Sequence, residues 1–415
     1  MTSILFKNAR IFDGTSAECA EGQWLRVFEG RIVEISATPL AAPDARIIDV
    51  GGRTLMPGLI DAHVHVFASD VSPRRVEAVG PAYRAAHAVR MLGHALDCGF
   101  TTVRDVGGGN HSLSRALADG LVRGPRLLYS GRSMTMTGGH GDFRTAEEPP
   151  RYQAVCACEP VVFNAFAVVA DGVDEVVKAT RDELRQGAHC IKIMGSGGVA
   201  SPTDPIWMNQ YREDEIRAIV GECSERRSYV AAHCHPASAI RRCVEYGVRS
   251  IDPGTRLYAA TAAFVADRGA YIVPTIVIVS ALIESGKRLG FPPESQEKAE
   301  MAARSSMAGL DLMRQAGVKL AYGTDLLGSL YDQQCREFVL RREVFTPVEI
   351  LRQATSIAAE MMMMAGEIGT IAPGACADLI VVDGDPLQDI ALLAQDGRRL
   401  PLVMRAGEVI RSALD

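Results

Sequence analysis

The rhythm of apolar and polar positions changes twice along the chain. Over residues 1–52 the apolar side chains come in short alternating bursts, Ile4-Leu5-Phe6, Trp24-Leu25-Arg26-Val27 and Arg31-Ile32-Val33-Glu34-Ile35. Asp13-Gly14 and Glu29-Gly30 punctuate them. Successive side chains of a strand face opposite sides, so this pattern predicts half-buried strands joined by turns. The same style returns from about residue 366, in Asp378–Asp383 and Leu402–Ile410, bounded by Pro373-Gly374 and Asp383-Gly384. Two β-rich ends around a different middle predict one small β-sandwich domain built from 1–52 and 366–415.

The middle, 53–365, holds eight apolar runs read as strands. They are Leu59–Val66, Phe100–Asp105, Arg126–Ser130, Cys190–Met194, Tyr229–His233, Arg249–Ile251, Tyr271–Thr275 and Lys319–Asp325. Amphipathic stretches such as Asp174–Gln186 and Asp214–Arg226 lie between several of them. Strands alternating with helices in this number predict the α/β class and a (β/α)8 TIM barrel. An open doubly wound sheet is the rival. It wants a GxGxxG turn after its first strand, and Gly107-Gly108-Gly109 lacks that spacing. Gly195-Ser196-Gly197-Gly198 likewise lacks the Gly-Lys-Ser/Thr ending of a phosphate loop. Both clusters are read as loops at strand ends, where a barrel assembles its site.

Composition narrows the function classes. With 415 residues, 47% hydrophobic and 23% charged, there is ample material for a core. The net charge of −6 comes without a concentrated basic footprint, which argues against a nucleic-acid partner. The longest apolar run, Tyr271–Ile283, is too short to span a bilayer and contains Pro274. The first residues read as a strand rather than a signal peptide, so a cytoplasmic protein is expected. Ten scattered cysteines with no CxxC…CxxC spacing predict reduced, mostly buried thiols. For the neighbouring Cys156 and Cys158 three readings stand: a metal pair, a redox couple, or a loop near a subunit contact.

The candidate chemistry sits at strand ends. In Pro57-Gly58-Leu59-Ile60-Asp61-Ala62-His63-Val64-His65, the two histidines are i and i+2 on one strand and project to the same face. Two imidazoles so placed make half a divalent-metal site. Lys192 lies in the apolar run Cys190–Met194, where an unpaired ammonium would be costly to bury. It reads either as one half of a buried salt bridge or as a neutralised or chemically modified amine. His233 ends a strand and His235 follows at i+2. Asp325, after Gly323-Thr324, reads as a ligand or base, with a helix cap as the alternative.

Together these motifs resemble the amidohydrolase superfamily. The resemblance rests on PGLIDAHVH at 57–65, IKIMGSGGVASP at 191–202, His233, GTD at 323–325 and PGACADLIVVDGDP at 373–386, and covers nearly the whole chain. TMTGGHGD at 135–142 and the segment 171–194 look closest to metal-dependent carboxypeptidases of the prolidase-like and ochratoxin-hydrolysing group. The resemblance implies zinc held by His63, His65 and Asp325, a carbamate on Lys192 bridging to a second zinc, and His233 on that second metal. It further implies His140 as the group that polarises the scissile carbonyl, Asp325 as base for a metal-activated water, dipeptide or N-acyl amino acid substrates, and a large homo-oligomer such as an octamer.

Two departures stand out. In the family the sixth strand ends in a Glu-His-Gly-like segment whose histidine completes the second metal site. Here Ile251-Asp252-Pro253-Gly254 places a proline there, with no side-chain donor. A tyrosine common two residues after the fifth-strand histidine is replaced by His235, read as a substrate contact or a replacement ligand. The sequence thus predicts one firmly held metal and a second, weakened site. Three functions follow: an active hydrolase of C-terminal amides, a cyclic-amide hydrolase or deaminase on the same fold, and a catalytically impaired barrel used for binding or assembly.

Overall fold

The computed structural model describes residues 3–145, 147–148 and 166–414. Cys156 and Cys158 lie outside the described residues, and the other eight cysteines are free thiols. Alternating apolar positions near both chain ends do form strands, and these join in a single eight-stranded sheet. Its order is Glu408–Ser412, Leu402–Arg405, Leu379–Val382, Thr54–Pro57, Ile4–Ile11, Ala20–Phe28 and Arg31–Ser36, with Arg46–Asp49 pairing alongside Ile4–Ile11. The sheet therefore also takes in Thr54–Pro57, just beyond the N-terminal stretch. Its inward side chains, among them Phe6, Leu25, Ile32, Leu379 and Met404, make a core of their own.

The middle of the chain supplies parallel strands in two sheets. One runs Leu59–Val64, Phe100–Asp105 and Arg126–Tyr129. The other runs Ala167–Val169, Ser133–Thr135, Ile191–Met194, Val230–Pro236, Ser250–Arg256, Tyr271–Ile272 and Lys319–Leu320. Backbone bonds cross both seams. Ala62 N donates to Tyr322 O at 2.8 Å and Asp325 N to His63 O at 2.8 Å, while His189 N donates to Tyr129 O at 2.7 Å. The result is a TIM-barrel-like α/β unit. Its helices carry apolar stripes at helical spacing, as in Gly172–Arg185, which buries Val176, Thr180, Glu183 and Leu184. No helix among the described residues is long and apolar enough to cross a membrane.

Strand boundaries depart from the sequence expectation at the sixth strand, expected over Arg249–Ile251 but running Ser250–Arg256, and at the last two. The run Tyr271–Thr275 is strand only over Tyr271–Ile272. Pro274 has no N–H to give to a ladder, and Thr275 turns into a left-handed conformation (φ 39°) that opens the helix Ile276–Ser285. In Lys319–Asp325 the ladder stops at Leu320. The two additional short strands at 133–135 and 167–169 escaped the sequence reading because three residues are too few to show a period.

Candidate active site

The first barrel strand sets the floor of the site. Asp61, His63 and His65 share a face, and each is held by a different neighbour. Asp61 accepts from Thr324 Oγ1 at 2.7 Å, Gln334 Nε2 at 2.8 Å and Thr324 N at 3.2 Å. Those bonds bring the Gly-Thr-Asp segment that follows the last strand against the first. Burial lifts the Asp61 carboxyl to about 6 despite these donors. His63 Nδ1 donates to Asp252 Oδ2 at 3.0 Å, and His65 Nδ1 to Gly107 O at 3.3 Å. Their Nε2 atoms both face Asp325 Oδ1, at 3.4 and 3.1 Å. Burial would raise the Asp325 carboxyl, but His63 and His65 outweigh it and hold it well below the usual carboxylate range. Asp325 sits at φ 56°, a left-handed conformation that Asp tolerates better than most residues.

His63, His65 and Asp325 are placed as a candidate metal donor set: two imidazole nitrogens and a carboxylate oxygen lie within 4.8 Å of one another. A divalent ion with N and O ligands fits that arrangement. Among the described residues a second such group, Cys98, Cys335 and Asp396, lies elsewhere, beside the start of the second barrel strand.

Lys192 is buried, and its Nζ donates to Asp252 Oδ2 at 3.5 Å. Asp252 is a hub the sequence reading missed. Its Oδ2 also accepts from Arg104 Nη2 at 2.8 Å and from His63. Burial would raise its pKa, yet Arg104 and Lys192 outweigh this and keep it ionised. Arg104 is fully buried and spends its other donors on Ala62 O, Tyr229 OH and Ser250 Oγ. The available signal was an arginine inside the apolar run Phe100–Asp105, the same clue that singled out Lys192. Asp105 was also missed; it accepts from Val66, Gly107 and Gly109 N, shaping the glycine loop under His65.

The fifth strand brings His233 and His235, whose rings meet edge to face with centres 4.7 Å apart. His140 stacks on His233 at 4.3 Å. Burial first, then neighbouring cations and imidazoles, push His233 well below its ordinary pKa. Burial and His140 take His235 down to about 3, so both rings are neutral and have lone pairs to offer. His140 Nδ1 lies 2.5 Å from Ser201 Oγ and 3.4 Å from Asp204 Oδ2, which fixes the ring and leaves Nε2 for a ligand.

His63, His65, His140, Lys192, His233, His235 and Asp325, with Pro253, line one cavity of about 150 Å³, walled by apolar side chains that include Phe143, Ile278, Leu282, Phe291 and Leu327. A larger cavity of about 860 Å³ is reached by no imidazole, and the Arg132–Glu183 pair in its wall is already matched at 2.8 Å.

The amidohydrolase family model matches residues 54–410. The chain is 30% identical over 364 residues to the ochratoxinase of Aspergillus niger, covering 86% of this chain and 75% of that protein. Among solved structures, a prolidase complexed with N-methylphosphonate-L-proline superposes with TM-score 0.95 at 42% identity, covering 99% of this chain and 100% of the other. A Xaa-Pro dipeptidase with methionine bound in its active site gives TM-score 0.86 at 27% identity, covering 99% and 100%. With its histidine-rich cavity at the ends of parallel strands and this match over most of its length, the chain belongs to the amidohydrolase family, as an ochratoxinase- and prolidase-related protein.

Proposed function

We propose that the protein is a metal-dependent hydrolase that cleaves amide bonds of dipeptides or N-acyl amino acids beside a free carboxylate. The observation that carries this reading is the convergence of His63, His65 and Asp325 at an apolar cavity that His140 also lines. Zn2+ is the ion in this reading, held by those three residues, with Lys192 and His233 facing a second position. A divalent ion there supplies a lowered pKa for water and polarisation of a carbonyl oxygen.

The chain's own groups do the rest. Asp325, held as the carboxylate, takes a proton and later returns it to the leaving amine. His140, braced through Nδ1, directs Nε2 at the carbonyl oxygen as negative charge develops there. The apolar wall receives the substrate side chain and excludes water. The Lys192 ammonium would first give up one proton, and the resulting amine would add CO2 and release a second, leaving a carbamate anion in place of the ammonium. The Lys192–Asp252 contact also supports the buried salt bridge as the state before that addition. The oligomer, an octamer in this reading, the cytoplasmic setting and the division at 1–52 with 366–415 around 53–365, with Thr54–Pro57 of the latter pairing into the terminal sheet, complete the proposal. The setting is supported by the reduced cysteines.

Pro253 favours a second reading, a catalytically impaired member that binds without turnover. Hydrolysis of a panel of dipeptides and N-acyl amino acids, before and after metal removal by a chelator and readdition of Zn2+, separates the two. Turnover that disappears and returns with metal supports the hydrolase; no turnover on any member of the panel supports the impaired barrel.

A further inference from the structure

The fifth strand carries a second pair of imidazoles at i and i+2, and its geometry repeats that of the first. His63 and His65 have ring centres 5.3 Å apart with planes at 73°, whereas His233 and His235 stand at 4.7 Å and 80°. Two imidazoles sharing one zinc, at Zn–N distances of about 2.0–2.1 Å, have ring centres roughly 5 Å apart. The bracing repeats for one ring of the second pair. Metal-binding histidines are oriented by a partner on the other ring nitrogen. His63 has Asp252 and His65 has Gly107 O, while His235 Nδ1 is tied to Thr255 Oγ1 at 2.8 Å. The free ends differ. The Nε2 atoms of His63 and His65 meet Asp325, but those of His233 and His235 are buried with no hydrogen-bond partner. Buried polar atoms are almost always satisfied, so two orphaned nitrogens on adjacent rings mark a place for a ligand.

Pro253 pairs with Cys234 between these two histidines in the parallel register. We infer that His235 takes the second-site ligand position that Pro253 lacks, so that His233, His235 and Lys192 together hold a second divalent cation. The sixth strand then contributes through Thr255, which orients the His235 ring and holds no metal itself. The inference rests on the metal-centre reading above, and it reverses the expectation of a weakened second site.

Zinc stoichiometry tests it directly. The purified full chain is loaded with Zn2+, dialysed against a mild chelator and assayed for zinc per chain. Two zinc ions are expected for the natural sequence and one for His235→Ala. Adding Pro253→His to His235→Ala is expected to restore the second. Thr255→Val tests the bracing without touching a ligand, and is expected to release the second zinc at roughly 10- to 100-fold lower chelator concentration. One zinc in the natural sequence, or two retained in His235→Ala, overturns the inference, and an unchanged chelator profile in Thr255→Val overturns the bracing. If His235→Ala does not fold, the zinc count of the natural sequence decides the inference, and Thr255→Val its bracing. A chain that hydrolyses amides with one zinc defeats this inference alone. A chain that binds no zinc defeats the metal-hydrolase reading with it.

Discussion

At the scale of single residues, the site depends on charges buried with their partners. Asp252 is 0% exposed and answers Arg104, Lys192 and His63 with a single oxygen. Removing one member of such a network leaves the others charged in a dry interior, which costs about 3–5 kcal/mol. Asp252→Asn is expected to lower the urea midpoint accordingly and to impair turnover by releasing His63. An unchanged midpoint would show that Arg104 and Lys192 do not need this carboxylate. For the reaction itself, His63→Ala and Asp325→Asn are each expected to abolish hydrolysis while the far-ultraviolet circular dichroism stays native. Near-normal turnover by either purified variant would refute the assigned roles. Gly198 offers a subtler probe. A Cβ added there would meet the His140 ring at Cε1, Nε2 and Nδ1. Small misplacements of a catalytic group cost up to about 100-fold in rate. Gly198→Ala is therefore expected to reduce kcat by roughly 10- to 100-fold with little change in thermal stability, and an unaltered kcat would remove His140 from the chemistry.

At the scale of elements, turns tie distant parts of the chain together. Asp13 accepts from Thr15 N and Ser16 N, each at 2.7 Å, and from both hydroxyls, while its carbonyl takes Ile371 N at 3.0 Å. This turn joins the first strand to the returning segment before Leu379–Val382. Burial would raise the Asp13 carboxyl, but the bonds from Ser16 and Thr15 prevail and lower it from 3.8. A depressed carboxyl stabilises the fold above its unfolded pKa and loses that contribution as pH falls through the folded one. Asp13→Asn is expected to cost about 1 kcal/mol near neutrality, with the gap between the two proteins closing below about pH 4. Denaturant titrations across pH check this, and a gap constant down to pH 2 would contradict it. The element boundaries show the same dependence on context. Within Tyr271–Thr275 only Pro274 marks a local limit to the strand. Val277 N at the start of the following helix is capped by Glu337 Oε2 at 2.7 Å, a partner from a distant element.

At the scale of the whole molecule, the parallel strands gather histidines, lysine and aspartate at one end, beside an apolar cavity. A pocket for substrates with a free C-terminal carboxylate should discriminate strongly when that charge is removed. Methyl esters of good substrates are expected to show kcat/KM at least about 10-fold lower, since a site built for a charged group leaves its own polar groups unpaired with the neutral analogue. Equal rates on acid and ester would point away from carboxypeptidase-type recognition.

Much of this was legible in the sequence, because a period of two is a local property. It shows which face of a strand His63 and His65 share, that Lys192 interrupts an apolar run, and that Asp325 ends one. Strand order, seam bonding and partner choice are not local. Arg104 stands inside an apolar run and Asp252 beside a proline, and the sequence reading singled out neither. Only the assembly of the two parallel sheets places them 2.8 Å apart and next to Lys192. His235 stands open between substrate contact and ligand in the sequence; the fold sets Thr255 against its Nδ1 and leaves its Nε2 unsatisfied, the observation on which the ligand proposal rests. The sequence by itself determined the face each donor occupies, since alternation along a strand needs no tertiary partner. Which donors meet was decided by the tertiary structure, because strands remote in the chain become neighbours only when the sheets assemble.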